Sequence, residues 1–184
     1  MLRMILIIIS FTSCTVEVDN SVTKKSDSKS SEQNDTLNTQ FIGNWETDCL
    51  AGTTDSTRLK LTFNNDGAVI LKEEFFYDTN CSTADETWTS YHNYEVENSN
   101  ISFERYKELI KPQHADRVTD YNQSGSEMCD INDWQINITQ DVTGLDCDSF
   151  TTDEKQMDGT YVISNGELTF TGHYLIEDET FIKQ

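Results

Sequence analysis

Trp88, Ser90, His92 and Tyr94 stand at alternate positions, so an extended chain puts two rings, a hydroxyl and an imidazole on one face. Apolar walls with a few orienting polar groups are the chemistry of a small-molecule pocket. Trp134 opens a second alternating run with Ile136 and Ile138 and offers another ring. Arg105 continues the Ile101 and Phe103 face and would put a cation at the pocket mouth. A plainer account stands beside each: a hydrogen-bonded core imidazole for His92, and a strand-end side chain reaching for water for Arg105. His114 and His173 lie in polar surroundings and carry no argument.

Other chemistries find little support. The chain holds no G-x-S-x-G, no H-E-x-x-H and no phosphate-cradling G-x-x-x-x-G-K-[ST], so no catalytic residue is assigned and the protein reads as a non-enzyme without a cofactor. Between residues 127 and 158 lie Glu127, Asp130, Asp133, Asp141, Asp146, Asp148, Asp153, Glu154 and Asp158 against a single base, Lys155. Oxygen ligands of this kind can hold calcium, but the spacing fits no EF-hand, and solvated acidic loops are the simpler reading. The net charge of −20 repels a phosphate backbone and argues against nucleic acid as a partner. It argues equally against attachment to a membrane through a basic surface.

Five cysteines are present. Setting Cys14 aside leaves Cys49, Cys81, Cys129 and Cys147, an even number that in an exported chain implies two disulfides. Cys49 ends the first strand of the folded segment and Cys81 follows the third, which in a meander brings both to one edge of the sheet. Cys129 and Cys147 bracket the Trp134 run. This favours 49–81 with 129–147 among the three pairings. No C-x₂-C or H-x₃-H spacing suggests zinc, so no metal site is assigned.

These residues must be positioned by elements, and the chain divides into three parts. Residues 1–13, with Arg3 before the unbroken apolar run at 4–9, read as an export signal too short to span a membrane. Residues 14–40 are polar, without one aromatic side chain after Cys14, and read as a flexible linker. Such a linker would hold a folded domain about 25–30 Å from a bilayer.

Residues 41–184 are filled with short alternating runs separated by turn residues, predicting an all-β antiparallel barrel of about eight to ten strands. Leu59, Leu61 and Phe63 alternate before the hairpin signal Asn64-Asn65-Asp66-Gly67, and the return strand follows from Ala68. Val69, Leu71, Phe75 and Phe76 do not share a parity, so a bulge is expected near Glu73 and Glu74. Residues 104–110 suit either a continued strand or a short helix ended by Pro112. A strand is expected at 117–121 and another from Trp134. Asn165-Gly166 closes a hairpin over 161–170, and a last strand begins at Thr180.

Ser13 before Cys14, at the end of the apolar run, resembles the lipobox of bacterial lipoproteins, with Phe11 at the position usually held by Leu. The resemblance implies that Cys14 is acylated and becomes the mature N-terminus. Thr15 after it implies sorting to the outer membrane. Gly43-Asn44-Trp45, directly after the linker, resembles the opening signature of lipocalins, whose Trp plugs the closed end of the barrel. The chain over 41–184 is thus similar to the lipocalin-like (calycin-type) domains of bacterial lipoproteins. That similarity implies an envelope protein, facing the periplasm or the surface, held to the membrane by its lipid. In lipocalins a late Arg stacks on the signature Trp. No Arg follows Arg117 here, and Lys183 is the late cation available. The two functions weighed are a barrel that binds a small apolar or amphipathic molecule and a filled barrel that docks to another envelope component.

Overall fold

The computed structural model describes residues 39–125, 128–147, 156–172, 176 and 179–184. The export signal, Cys14 and most of the linker therefore lie outside the described residues.

Alternation does what the pattern demands over most of the chain. β1 (Gly43–Glu46) and β2 (Leu50–Ala51) precede β3 (Ser56–Phe63) and β4 (Ala68–Phe76), which pair from Ser56 opposite Phe76 to Phe63 opposite Val69. The turn between them needs Gly67, whose φ of +84° suits a residue without a Cβ. β5 (Ala84–Glu97) and β6 (Asn100–Pro112) form the longest hairpin. Residues 104–110 are strand throughout, and Pro112 ends it. β7 (Gln140–Asp141) is a two-residue addition, and β8 (Gln156–Ser164), β9 (Glu167–Thr171) and β10 (Thr180–Lys183) complete the sheet. Asn165 and Gly166 both have positive φ, 55° and 82°, as a type I′ hairpin turn requires.

β1 pairs with β3 on one side and β10 on the other, so the order β1, β3, β4, β5, β6, β8, β9, β10 returns on itself. The result is a closed antiparallel barrel of eight strands. β2 runs on from β1 along the same edge of β3, and β7 occupies the same edge of β6 as β8. β3 to β6 are much longer than β1, β9 and β10, so they extend past the closed ring. Over that extension pack the helix α1 (Ala115–Tyr121) and the loops of 128–147.

The molecule consequently has two apolar cores. The first fills the ring with Phe41, Trp45, Phe63, Phe103, Phe170 and Phe181 among others, each at most 1% exposed. The second packs Trp88 and Ile110 of the long hairpin against Tyr121, Trp134, Val142 and the Cys129–Cys147 bridge. The disulfides pair as 49–81 and 129–147, the pairing expected, although the run that Cys129 and Cys147 bracket is not a strand.

Two expectations are corrected, and a third, the register break in β4, lies slightly further along the chain. Residues 117–121 are helical, because Arg117 and Tyr121, four apart, share a helix face and both find partners on β5. The Arg117 guanidinium forks onto Asp85, and the Tyr121 hydroxyl donates to Glu86. His114 caps the helix by accepting from the Asp116 amide at 3.3 Å. Residues 134–139 form no strand. The Asn122 side chain accepts from the Trp134 amide at 2.9 Å and donates to its carbonyl at 3.0 Å, taking the groups a neighbouring strand would use. The chain then turns, leaving Ile136 and Ile138 about half exposed. Finally, β4 runs unbroken through Glu73 and Glu74, and its register shifts between Phe75 and Phe76. Glu73 therefore keeps the parity of Val69 and Leu71 and faces inward.

Candidate functional site

At the closed end the barrel is sealed by aromatic side chains. The Trp45 indole donates to the Phe41 carbonyl at 2.7 Å. Lys183, opposite Trp45 on β10, holds its ammonium 5.1 Å from the indole centroid. Lys183 is thus the late cation that lies over the ring.

The β5 face carries Trp88, Ser90, His92 and Tyr94 inward, as alternation requires, and all four are buried. Their surroundings differ. The Tyr94 ring packs edge-on to Phe63 at 5.0 Å within the first core, and its hydroxyl reaches the Asn64 carbonyl at 3.4 Å. His92 is fully buried, with Nε2 2.8 Å from the Ser90 hydroxyl. Trp88 and Trp134 belong to the second core, where Trp134 lies 5.0 Å from the Tyr121 ring and donates to the Met128 carbonyl at 3.2 Å. Arg105 points inward beside them and pairs with Glu108 at 3.2 Å. These six residues therefore span the boundary between the two cores, and none of them lines the cavities described below.

Open space lies beside them. A groove of about 780 Å³ runs between β2, β3 and β4 where the ring gives way to the extension. Its walls include Leu50, Ala51, Thr57, Leu59 and Phe75, and Glu73 stands among them. Leu59 and Glu73 are paired across β3 and β4, and Glu73 faces Trp88 across β4 and β5. Glu73 is half-buried along the groove, and its carboxyl is reached from it. Burial, reinforced by Glu108 and Glu86 and only partly offset by Arg105, pushes its pKa up to about 7. Among the described residues the Glu73 carboxyl makes no hydrogen bond and no ion pair.

Its neighbours are held. Burial also raises Glu86, against the Tyr121 hydroxyl and the Arg117 charge that favour its ionised form. Burial raises Glu108 as well, and Arg105 opposes it. A second opening, of about 770 Å³, lies at the far end by the β5–β6 turn and is lined by Glu95, Glu97 and Asp158 among others. It lacks a buried charge.

Glu73 is the residue that sequence reasoning passed over. Its acidity suggested a change of face in β4, whereas the signal to follow was its parity with Val69 and Leu71. Of the acids between 127 and 158, Glu127, Asp148, Asp153 and Glu154 lie outside the described residues, as does His173. Among the described residues no three His, Cys, Asp or Glu side chains are grouped to hold a metal ion, and no helix is long and apolar enough to cross a membrane.

The fold defines the class: a closed eight-strand antiparallel barrel of lipocalin-like form, stapled by two disulfides. No protein-family model matches the chain, and no curated protein matches it in sequence.

Proposed function

We propose that this chain is an exported, non-enzymatic bacterial lipoprotein, tethered to the outer membrane through Cys14, whose barrel binds a small apolar or amphipathic molecule. The observation that carries the binding reading is the groove of about 780 Å³, where the apolar side chains of Leu50, Leu59 and Phe75 stand beside the half-buried Glu73 carboxyl. A concave surface that sets apolar side chains beside a perturbed titratable group has the makeup of a ligand site. The ligand sits at the rim of the ring, because the ring itself is filled with aromatic and aliphatic side chains. The tether follows from the order of signal, Cys14 and polar linker.

The filled ring also favours a second reading, a docking module that meets another envelope component through its surface. One experiment addresses both. Cys14→Ala should move the protein from the membrane to the soluble periplasmic fraction, since stable anchoring requires acyl chains. Native mass spectrometry of that soluble protein should then show a co-purifying small molecule. Retention of the variant in the membrane overturns the tether. Release of a ligand-free protein that binds no apolar probe hands the function to the docking module.

A further inference from the structure

Resting on the groove as the binding site, we infer that its ligand carries an amine, bound as a cation with Glu73 as its counter-ion. The argument begins with the charges that meet inside the extension. Around Glu73 stand Glu86 on β5 and Glu108 on β6, with Arg105 of β6 as the cation that acts on it; from β3 it faces the uncharged Leu59. Asp55 and Glu179 add two more acids at the groove rim.

The cations present are already committed. Arg105 contacts Glu108 at 3.2 Å, and Arg117 is forked onto Asp85 with Glu86 close by at 3.7 Å. Glu73 is left as a half-buried carboxyl with no hydrogen bond or ion pair among the described residues. A buried carboxylate in that position is costly until a cation reaches it. The groove gives that cation a route, because Glu73 is itself part of its lining. Leu50, Leu59 and Phe75 receive the apolar remainder.

Ligands with other heads fit less well. A fatty-acid carboxylate would enter among Glu73, Glu86 and Glu108 with no uncommitted cation among the described residues to meet it. A neutral alcohol would bond to the carboxyl but leave its charge uncompensated. An ammonium alone removes the electrostatic deficit, and its binding displaces the proton that Glu73 holds at mildly acidic pH. That proton passes to solvent, and no covalent bond is made or broken.

The test compares three probes with one apolar tail and different heads: hexylamine, hexanol and hexanoate. The purified full chain, with Leu and Ala methyl groups labelled, is titrated with each by NMR at pH 8. The methyls of Leu50, Ala51 and Leu59 report on the groove, and those of Leu61 and Leu168 report on the ring.

Hexylamine should shift the groove methyls and bind at least about tenfold more tightly than hexanoate, the size of effect expected from one desolvated charge pair. Lowering the pH from 8 to 6 should weaken hexylamine about tenfold, because Glu73 loses most of its charge while an alkylamine keeps its own. In Glu73→Gln, which keeps the shape and removes the charge, the preference for the amine should vanish.

Hexanol or hexanoate shifting the groove methyls as strongly as hexylamine overturns the amine and leaves the groove standing. A preference for hexylamine that survives Glu73→Gln puts the cation on Asp55 or Glu179 and overturns the assignment to Glu73. Silence of the groove methyls with all three probes overturns the groove as a binding site, and the inference with it.

Discussion

The same four strands, β3 to β6, present two different inner faces along their length. Toward Trp45 the inward positions are Leu61, Phe63, Val69, Leu71 and Phe103, all at most 1% exposed. Toward the other end the inward positions are Glu73, Glu86, Arg105 and, past the register shift of β6, Glu108. Backbone pairing does not distinguish the two, since the ladders run through both with only local shifts near Phe75 and His92. What differs is how the strands are closed. At the first end β1, β8, β9 and β10 complete the ring and exclude water. At the second end α1 and the loops of 128–147 cover part of the sheet, and the β2 side remains a groove. A fully closed ring favours apolar side chains and holds a polar one only with a partner, as His92 is held by Ser90. A partly closed one can retain charge, and charge is what a ligand can read.

If stability resides in the ring and binding in the extension, damage to each should look different. Trp45→Ala removes a buried indole of the first core and its hydrogen bond to Phe41, and should cost about 3–5 kcal/mol. Replacing Cys129 and Cys147 together by Ser opens a loop of 18 residues and should cost about 3 kcal/mol. The discriminating measurement is native-state hydrogen exchange. The tryptophan variant should lose protection throughout β1, β3 and β10, whereas the cysteine variant should lose it first in α1 and 128–147. Uniform loss in both variants would mean that the two cores unfold as one unit and that the division into regions has no energetic content.

The sequence disclosed the two regions unequally, for a physical reason. Strands of the ring bury one face and wet the other, so Leu59, Leu61 and Phe63, or Trp88 to Tyr94, announce their parity directly. The 49–81 pairing of the cysteines followed from strand order. The extension obeys other rules. Glu73 is a charged residue on an inner face, and a pattern of apolar positions reads that as a break. Trp134, Ile136 and Ile138 alternate as cleanly as any strand, yet the Asn122 amide claims the Trp134 backbone groups from twelve residues away. Arg117 and Tyr121 fit a helix because of Asp85 and Glu86, partners more than thirty residues distant. Local periodicity carries no trace of such side-chain partners. The inward face of β5 was thus legible, while the groove beside it depended on contacts that periodicity does not encode.

Glu73 allows the comparison to be sharpened by pH. Its carboxyl titrates at about 7 in the folded protein, against 4.5 for an unburied Glu, so the unfolded chain gives up this proton first. The neutral form suits the fold. The contribution is fully present below 4.5, is lost as pH rises to about 7, and leaves the protein weaker above that by about 3 kcal/mol at most. Glu73→Gln should therefore be more stable than the parent at pH 8, by about 1–3 kcal/mol, and equal to it at pH 4. Denaturant melts of both chains at the two pH values measure this. A variant equally stable or weaker at pH 8 would show that the Glu73 charge is compensated within the fold, and the extension would lose its claim to hold an unsatisfied anion.

The smallest effect belongs to the ring and tests how its end is sealed. Lys183 is exposed, pairs across from Trp45 and lays its ammonium 5.1 Å from the indole centroid. Its amide is also bonded to the Gly166 carbonyl at 3.0 Å, so the last strand is fixed whichever side chain it carries. A cation over an indole at a wet site stabilises by about 0.5–1 kcal/mol, and Lys183→Met, which keeps the length and removes the charge, should lose about that much. Lys183→Arg should retain or slightly improve stability, because a guanidinium stacks on a ring with less loss of hydration. Neither substitution should alter the titration of Glu73, which lies in the other region. An Lys183→Met chain that melts with its parent would reduce the contact to chance proximity, and the seal would rest on Trp45, Phe41 and Phe181 alone.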